Sequence, residues 1–433
     1  MSTSVLPGAR PAPSRLRRGL DGWRTAEWLL AAFCIVMVAA RIRLGGGLVV
    51  ADPLAWLLAP LWLPVLRRYR GARTLLVVGL VACCASWVLT RYASVDHHVS
   101  MKLNSQIIKV IASMLTGTGL LLWAREHVRM PHLLALFGIG LLIAGPSSAK
   151  LFAQNPWKFG FSIPVTIIVV GLVGSQKRPR ATLGALAFFG LLCVLTDARS
   201  NLSVLLLTIV LIGWRLMPGV RSRRSTVLGT LSALAAVAAA AYYGLQAAIL
   251  DGVLGEETRA RSEEQLRTSG SLLLGGRPEL GASTALFQHR PMGFGGGTFL
   301  NSIDLTAAKN GMATLGYDPN NGYVERFMFG RGTELHSVLF DLWSWCGIAG
   351  LVFALLVAIN VLVILGHQLN HSPVSGAAVV FVALLTLWNL PFSPWLASVP
   401  IMVLVLAAGL PRRPSTLPQL RRESPDEGLV DYV

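Results

Sequence analysis

Charge is scarce in this sequence and negative charge scarcer still: 14% of the 433 residues are charged, with 21 Asp and Glu against 38 Lys and Arg. With 53% hydrophobic residues and a mean hydropathy of +0.59, the chain contains repeated apolar runs of membrane-spanning length. That excludes a soluble enzyme and leaves a polytopic membrane protein. The formal net charge of +17 does not make a nucleic-acid binder. The Lys and Arg stand in short clusters between apolar runs, where the positive-inside rule wants them. Cysteine is thin as well: Cys34, Cys83, Cys84, Cys193 and Cys346 all lie in apolar segments, with no CxxC spacing and no pair in a long loop. Neither disulfides nor a metal are expected from them. Acidic clusters are missing too. Asp318-Pro319-Asn320-Asn321-Gly322 comes nearest, but it lacks the spaced ligands and bidentate Glu of a calcium loop and reads as a turn. No repeat of fixed period is visible.

What is present is a series of apolar runs. Spans are expected at roughly 26–43, 48–66, 74–92, 105–124, 133–149, 161–175, 181–196, 201–217, 226–247, 344–366, 374–390 and 395–411. Arg67-Arg68-Tyr69-Arg70 with Arg73, Arg125 with Arg129, and Lys177-Arg178-Arg180 recur after every second span; Arg221-Arg223-Arg224 precedes the ninth. Arg10, Arg15, Arg17, Arg18 and Arg24 lie before the first span, with no small-residue cleavage site after it, and Arg412, Arg413, Arg421 and Arg422 follow the last. These clusters put both termini in the cytoplasm. His367 to Pro373, cytoplasmic by count, holds neither Lys nor Arg.

The expected fold is therefore all-α: a polytopic membrane protein with about twelve transmembrane helices and one large extracytoplasmic loop domain between spans nine and ten. Its divisions are a basic cytoplasmic tail at 1–25, spans one to nine over 26–250, the loop domain at 251–335, a helix start and spans ten to twelve over 336–411, and a cytoplasmic tail at 412–433. A connection of roughly eighty-five residues argues for function. Within it, Glu256 to Arg267 mixes charge signs as a solvated helix does, and Gly275-Gly276-Arg277-Pro278-Glu279 opens a second helix. Arg290-Pro291-Met292-Gly293-Phe294-Gly295-Gly296-Gly297 reads as a flexible loop, since it neither follows a strand nor opens a clear helix as a nucleotide motif would.

Three features fall on the same outer face. His336-Ser337 stands at the mouth of an apolar helix, with Gly347 and Gly350 on the stripe beneath the imidazole, where another element can pack closely. A helix N-terminus there favours a neutral ring able to accept a proton. Arg199, in the hairpin Asp197-Ala198-Arg199-Ser200-Asn201, is expected to keep its guanidinium free while Ser200 and Asn201 cap the next helix. Arg277, after two glycines and before a helix start, suits a phosphate. Each has a plainer alternative: an interfacial histidine, a snorkelling arginine, and a loop arginine pairing with Glu279. Two arginines and a base on one face suggest an anionic substrate, most naturally a pyrophosphate leaving group in glycosyl transfer from a lipid carrier, without a metal.

The combination resembles the O-antigen ligase and O-antigen polymerase superfamily of bacterial envelope enzymes. The motifs are His336-Ser337, nine residues, Gly347, two residues, Gly350; Ala198-Arg199-Ser200 closing a span; and Arg277 followed by Arg290-Pro291-Met292-Gly293-Phe294-Gly295. The resemblance implies about twelve membrane helices in the bacterial cytoplasmic membrane and a periplasm-facing cavity. It further implies a polyprenyl-diphosphate-linked glycan donor, a glycan or lipid-glycan acceptor, no cofactor, and metal-independent inverting transfer. Arg199 and Arg277 would hold the diphosphate, with Arg290 competing for the second arginine role, and His336 would help deprotonate the acceptor hydroxyl. Ser337, Gly347 and Gly350 would support it. A repeat-unit polymerase shares this chemistry. A lipid-linked glycan flippase or transporter would instead show inverted repeats or midplane charges, for which Lys109 is the one clear candidate, better placed near an outer helix end.

Overall fold

The computed structural model describes residues 15–146, 148–217, 255–269, 276–330 and 332–414, with scattered positions between 229 and 252. Apart from isolated positions, the ninth expected span at 226–247 lies outside the described residues. So do residues 1–14, the Arg221-Arg223-Arg224 cluster, Gly275, Arg421 and Arg422.

In lipid the backbone must satisfy its own hydrogen bonds, and helices do so within one segment. Those described are α1 (Arg15–Ala40), α2 (Ala51–Leu57), α3 (Ala59–Trp62), α4 (Ala72–Ala93), α5 (Met101–His127), α6 (Met130–Ala144), α7 (Ala149–Gln154) and α8 (Ser162–Ser175). They continue with α9 (Pro179–Leu195), α10 (Arg199–Leu216), α11 (Glu256–Ser269), α12 (Glu279–His289), α13 (Ser302–Ala313), α14 (Val338–His371), α15 (Ala377–Phe392) and α16 (Trp395–Gly409). Among the described residues the one sheet is a hairpin, Arg43–Gly45 with Leu48–Val49. Among the described residues six helices are long and apolar enough to cross a membrane: Trp23–Ala40, Ala72–Ala93, Met101–His127, Trp157–Ser175, Arg199–Leu216 and Val338–His371. Met130–Ala144, Pro179–Leu195, Ala377–Phe392 and Trp395–Gly409 are apolar but shorter. The chain is an all-α, multi-pass membrane protein.

Proline marks one departure from the expected spans. The stretch at 48–66 is not a single helix but α2, α3 and a 3-10 turn at Pro64–Arg68, with Pro60 and Pro64 each in the opening turn of its segment. A ring without an N–H fits such an opening turn, where no intrahelical hydrogen bond is lost.

Hydrogen bonds between helix ends fix the register. At one end Arg125 Nη1, on α5, donates to the Ala407 and Leu410 carbonyls at the end of α16 (3.1 and 2.9 Å), and Arg215 Nε of α10 donates to Leu369 O of α14 (3.1 Å). Glu126 gathers Tyr69, Arg412 and Arg68 there at 2.5, 2.6 and 3.3 Å. The basic clusters around Arg68, Arg125 and Arg412 thus share one end of the bundle. At the opposite end the start of α14 meets the end of α15 and the start of α16: Ser337 Oγ donates to Leu390 O, and the Asp341 carboxylate accepts from Trp395 N. His336, just before α14, lies at this second end, whereas Arg215 and Leu369 bring the far ends of α10 and α14 together.

Over that end sits a small second core. Glycines at the α12–α13 crossing let the backbones touch, since a Cβ on Gly281 would lie 2.2 Å from Gly311 O. Ala282, Leu286, Ala308, Met312, Val324 and Met328 are buried between the helices, and Trp343 of α14 reaches up into the same cluster. Burying the Leu, Val and Met side chains among them is worth about 1.5–3 kcal/mol each.

The run Arg290 to Gly297, expected as a flexible loop, is instead the wedge that seats this unit on the bundle. Gly293 through Thr298 are all buried. Phe294 N and Gly295 N both donate to Ser344 O at 2.9 Å, Trp343 Nε1 donates to Pro291 O, and Gly296 N and Gly297 N reach the Ser86 and Thr90 hydroxyls of α4. Glycine is required where this wedge meets other backbone: a Cβ on Gly293 would stand 2.5 Å from Trp343 O, and one on Gly295 2.4 Å from Thr90 N, both at positive φ.

Candidate functional site

His336 is not the first residue of a helix. Ser337 is the N-cap, its hydroxyl accepting from Phe340 N, and α14 begins at Val338. His336 precedes the cap at φ 55°, a left-handed conformation uncommon for a residue with a side chain. Its neighbours hold it there. Leu335 N donates to Asp341 Oδ1 (2.6 Å), Ser337 is anchored on α15, and Trp345 Nε1 donates to Thr333 O (2.8 Å). Asp341 is fully buried and is the keystone, taking one backbone N–H from each side with its two oxygens.

The expected glycine stripe beneath the imidazole does not exist as such. Gly347 has φ 60° and ψ −143° and interrupts α14, so the 100° periodicity counted from His336 fails at that point. Its role is contact with the wedge: a Cβ on Gly347 would lie 2.3 Å from Met292 O. Gly350 serves the same break, since its Cβ would collide with Leu342 O across it. The nine-residue spacing between Ser337 and Gly347 is thus the length of a short capped helix that ends where the loop docks.

Tyr323 links the candidate residues. Asn321 Oδ1 accepts Tyr323 N at 2.9 Å, after an Asp318 side chain that turns the chain by accepting Asn320 N. This is the turn expected at Asp318 to Gly322. The Tyr323 ring lies 6.2 Å from the His336 ring, tilted 35°, and its hydroxyl donates to Glu279 Oε1 at 2.6 Å. Burial, helped by the Glu279 hydrogen bond, pushes the phenol far above its ordinary value, while the nearby Arg277 guanidinium pulls the other way. Glu279 opens α12 behind Pro278, where a helix N-terminus favours a carboxylate. Arg277 has no hydrogen bond or ion pair among the described residues; Glu279 spends itself on Tyr323 instead.

Two polar atoms of this cluster are buried with no hydrogen-bond partner: His336 Nδ1 and Glu279 Oε2. An unpartnered imidazole nitrogen can take or give a proton, and an adjacent guanidinium can hold an anion.

The other two arginines are engaged elsewhere. Arg199 begins α10 with Ala198 as N-cap and no side-chain cap, and its Nε donates to Asp197 Oδ1 at 2.8 Å. The expected free guanidinium and the expected Ser200 and Asn201 caps are therefore not found; Asn201 instead reaches Ser162 Oγ on α8. Asp197, at φ 50°, also receives Lys158 Nζ on its carbonyl (2.8 Å). Arg290 clamps Asp96 at 2.8 and 3.3 Å, lies 5.5 Å from the Phe294 ring centre, and holds the Asp96 carboxyl down to about 2. Next to it the buried His97 bridges Asp96 and Asp304, at 2.7 Å each. The structure thus gathers His336 and Arg277 around Tyr323, while Arg199 stands on α10 beside Asp197 and Arg290 belongs to the latch under the wedge.

Tyr323, Asp341 and the His97–Asp304 pair are not singled out by the sequence, and Glu279 stands there only as a partner for Arg277. Asp341 had a signal, an acid in the first turn of an apolar run. The others become legible only once α12, α13 and the 317–330 segment are folded over α14. No family model, curated protein or solved structure matches the chain.

Proposed function

We propose that the chain is an O-antigen ligase-like glycosyltransferase of the bacterial cytoplasmic membrane. It moves a glycan from a polyprenyl-diphosphate carrier to an acceptor hydroxyl at the outer face, with about twelve spans and both termini in the cytoplasm. The observation that carries this reading is the unpartnered, buried His336 Nδ1 beside Tyr323, whose phenol also feels the Arg277 guanidinium, at the end of the bundle opposite the basic clusters. That polarity agrees with positive charge facing the cytoplasm.

In the reaction the acceptor hydroxyl gives its proton to His336 as its oxygen attacks the anomeric carbon. The bond from that carbon to the diphosphate oxygen breaks on the opposite face, which inverts the centre. The polyprenyl diphosphate leaves with its negative charge met by Arg277 and Arg199. No metal is needed in this scheme. Arg290 is a weaker candidate than Arg277, because Asp96 already occupies its fork. A repeat-unit polymerase would use the same steps with a carrier-linked acceptor.

The test is donor use by purified variants. Arg199→Ala and Arg277→Ala each lose a charge-assisted hydrogen bond, so kcat/KM for a polyprenyl-diphosphate glycan should fall roughly ten- to a hundredfold with folding intact. Lys should rescue poorly, because a point charge cannot replace the planar fork. Full activity of Arg277→Ala beside a dead but folded Arg290→Ala would move the role to Arg290.

A further inference from the structure

The two unpartnered atoms of the candidate site surround one ring. Glu279 holds the Tyr323 hydroxyl with Oε1 and leaves Oε2 buried and unmatched, and His336, against the same ring, leaves Nδ1 unmatched. Buried polar atoms are nearly always paired, so two orphans on either partner of a single tyrosine point to groups supplied by a ligand. A carboxylate oxygen can only accept, which specifies a donor such as a hydroxyl. The surroundings are aromatic. Tyr317 and Phe327 lie 6.0 and 5.4 Å from Tyr323, and Phe327 is 63% exposed, large for an aromatic residue in a folded domain. Aromatic faces carry negative charge density, and the C–H face of a sugar ring presents the complementary positive edge.

We propose that Tyr323 and Phe327 form a stacking platform for a sugar ring of the acceptor, and that Glu279 Oε2 and His336 Nδ1 bind hydroxyls of the stacked ring. This rests on the glycosyl-transfer reading and adds its acceptor side. Glu279 is a binding residue in this account; His336 alone takes the proton. Glu279 also couples the two sides, since it opens the helix directly after Arg277.

The experiment reads sugar binding without any donor. Purified protein in nanodiscs is mixed with methyl glycosides of glucose, galactose and N-acetylglucosamine, and saturation-transfer difference NMR follows the ring protons. At least one glycoside should show transfer in the unaltered protein. Tyr323→Leu should abolish it and Glu279→Gln should weaken binding roughly tenfold, as loss of a charge-assisted bond does. Tyr323→Phe, which keeps the ring, and Glu263→Gln on the exposed α11 should leave the stacking signal in place. No transfer to any glycoside in the unaltered protein, or equal transfer in Tyr323→Leu and Glu279→Gln, overturns the proposal. A parallel assay separates it from the parent reading. Normal glycan transfer by Tyr323→Leu with an unchanged acceptor KM defeats the platform alone. Sugar binding that follows these variants in a protein unable to use any lipid-linked donor sustains the platform and defeats the transferase.

Discussion

His336 pays for its position with backbone strain. A side chain at φ 55° costs on the order of 1–2 kcal/mol, held by the bonds that Asp341, Ser337 and Trp345 make around it. His336→Gly should therefore leave thermal stability equal or slightly higher while transfer falls by about 10²–10⁴. A marked loss of stability in detergent-solubilised protein would show that the ring is a packing residue. Asp341 gives the converse test. Asp341→Asn keeps the volume but turns an amide N–H₂ toward one of two backbone donors, so unfolding should be easier by about 1–3 kcal/mol, measured by denaturant titration. Asp96 sets a pH dependence. Its carboxyl is lowered from 3.8 to about 2, chiefly by the Arg290 hydrogen bond, so the stability it lends the wedge is whole above pH 4 and is lost as pH falls through 2. Amide exchange at Gly297 and Phe299 should rise over that window, and Arg290→Gln should weaken the dependence, leaving the part that His97 supplies. At this scale the sequence was most readable where residue type and place combined. His336, Arg277, Arg199 and Arg290 could be singled out, but their partners could not, because Tyr323, Asp197 and Asp96 are chosen by contacts across turns and helices.

The long element α14 shows how a spacing can be legible and its reason not. Ser337, Gly347 and Gly350 were evident as a motif, yet periodicity alone put the two glycines on one stripe beneath His336 on a straight helix. Which glycine takes a left-handed φ and breaks the helix depends on the loop that docks there, and that loop is far away in sequence. The same holds for the glycine run at Gly293 to Gly297. Composition suggests mobility, whereas steric need for bare backbone against Trp343, Thr90 and Ser100 explains it. Two substitutions tell these apart. Gly295→Ala adds a Cβ 2.4 Å from Thr90 N at φ 92° and should destabilise by more than about 2 kcal/mol, separating α12 and α13 from the bundle. Gly184→Ala, on α9 with open space around it, should instead stabilise by about 0.5–1 kcal/mol. Equal, small effects of both would mean the loop is mobile after all.

At the scale of the molecule, apolar runs and basic clusters announced an all-α membrane protein, and the described helices place the clusters around Arg68, Arg125 and Arg412 at one end. What could not be read was how a polar segment folds back over the bundle to bring Arg277 beside Tyr323 and His336, since only tertiary packing does that. Orientation is directly testable. In a cysteine-free background, a cysteine at position 263 should react with an impermeant maleimide from outside intact cells and one at position 178 should not; the reverse would turn the site toward the cytoplasm. The central claim, that His336 accepts the proton in glycosyl transfer, is tested by single-turnover transfer with purified protein, a polyprenyl-diphosphate glycan and a chelator. His336→Gln, which bonds but takes no proton, should bind donor normally and transfer about 10²–10⁴ times more slowly than the unaltered protein. Transfer by His336→Gln and His336→Ala at the full rate would contradict the account and return the histidine to a structural place beside Tyr323.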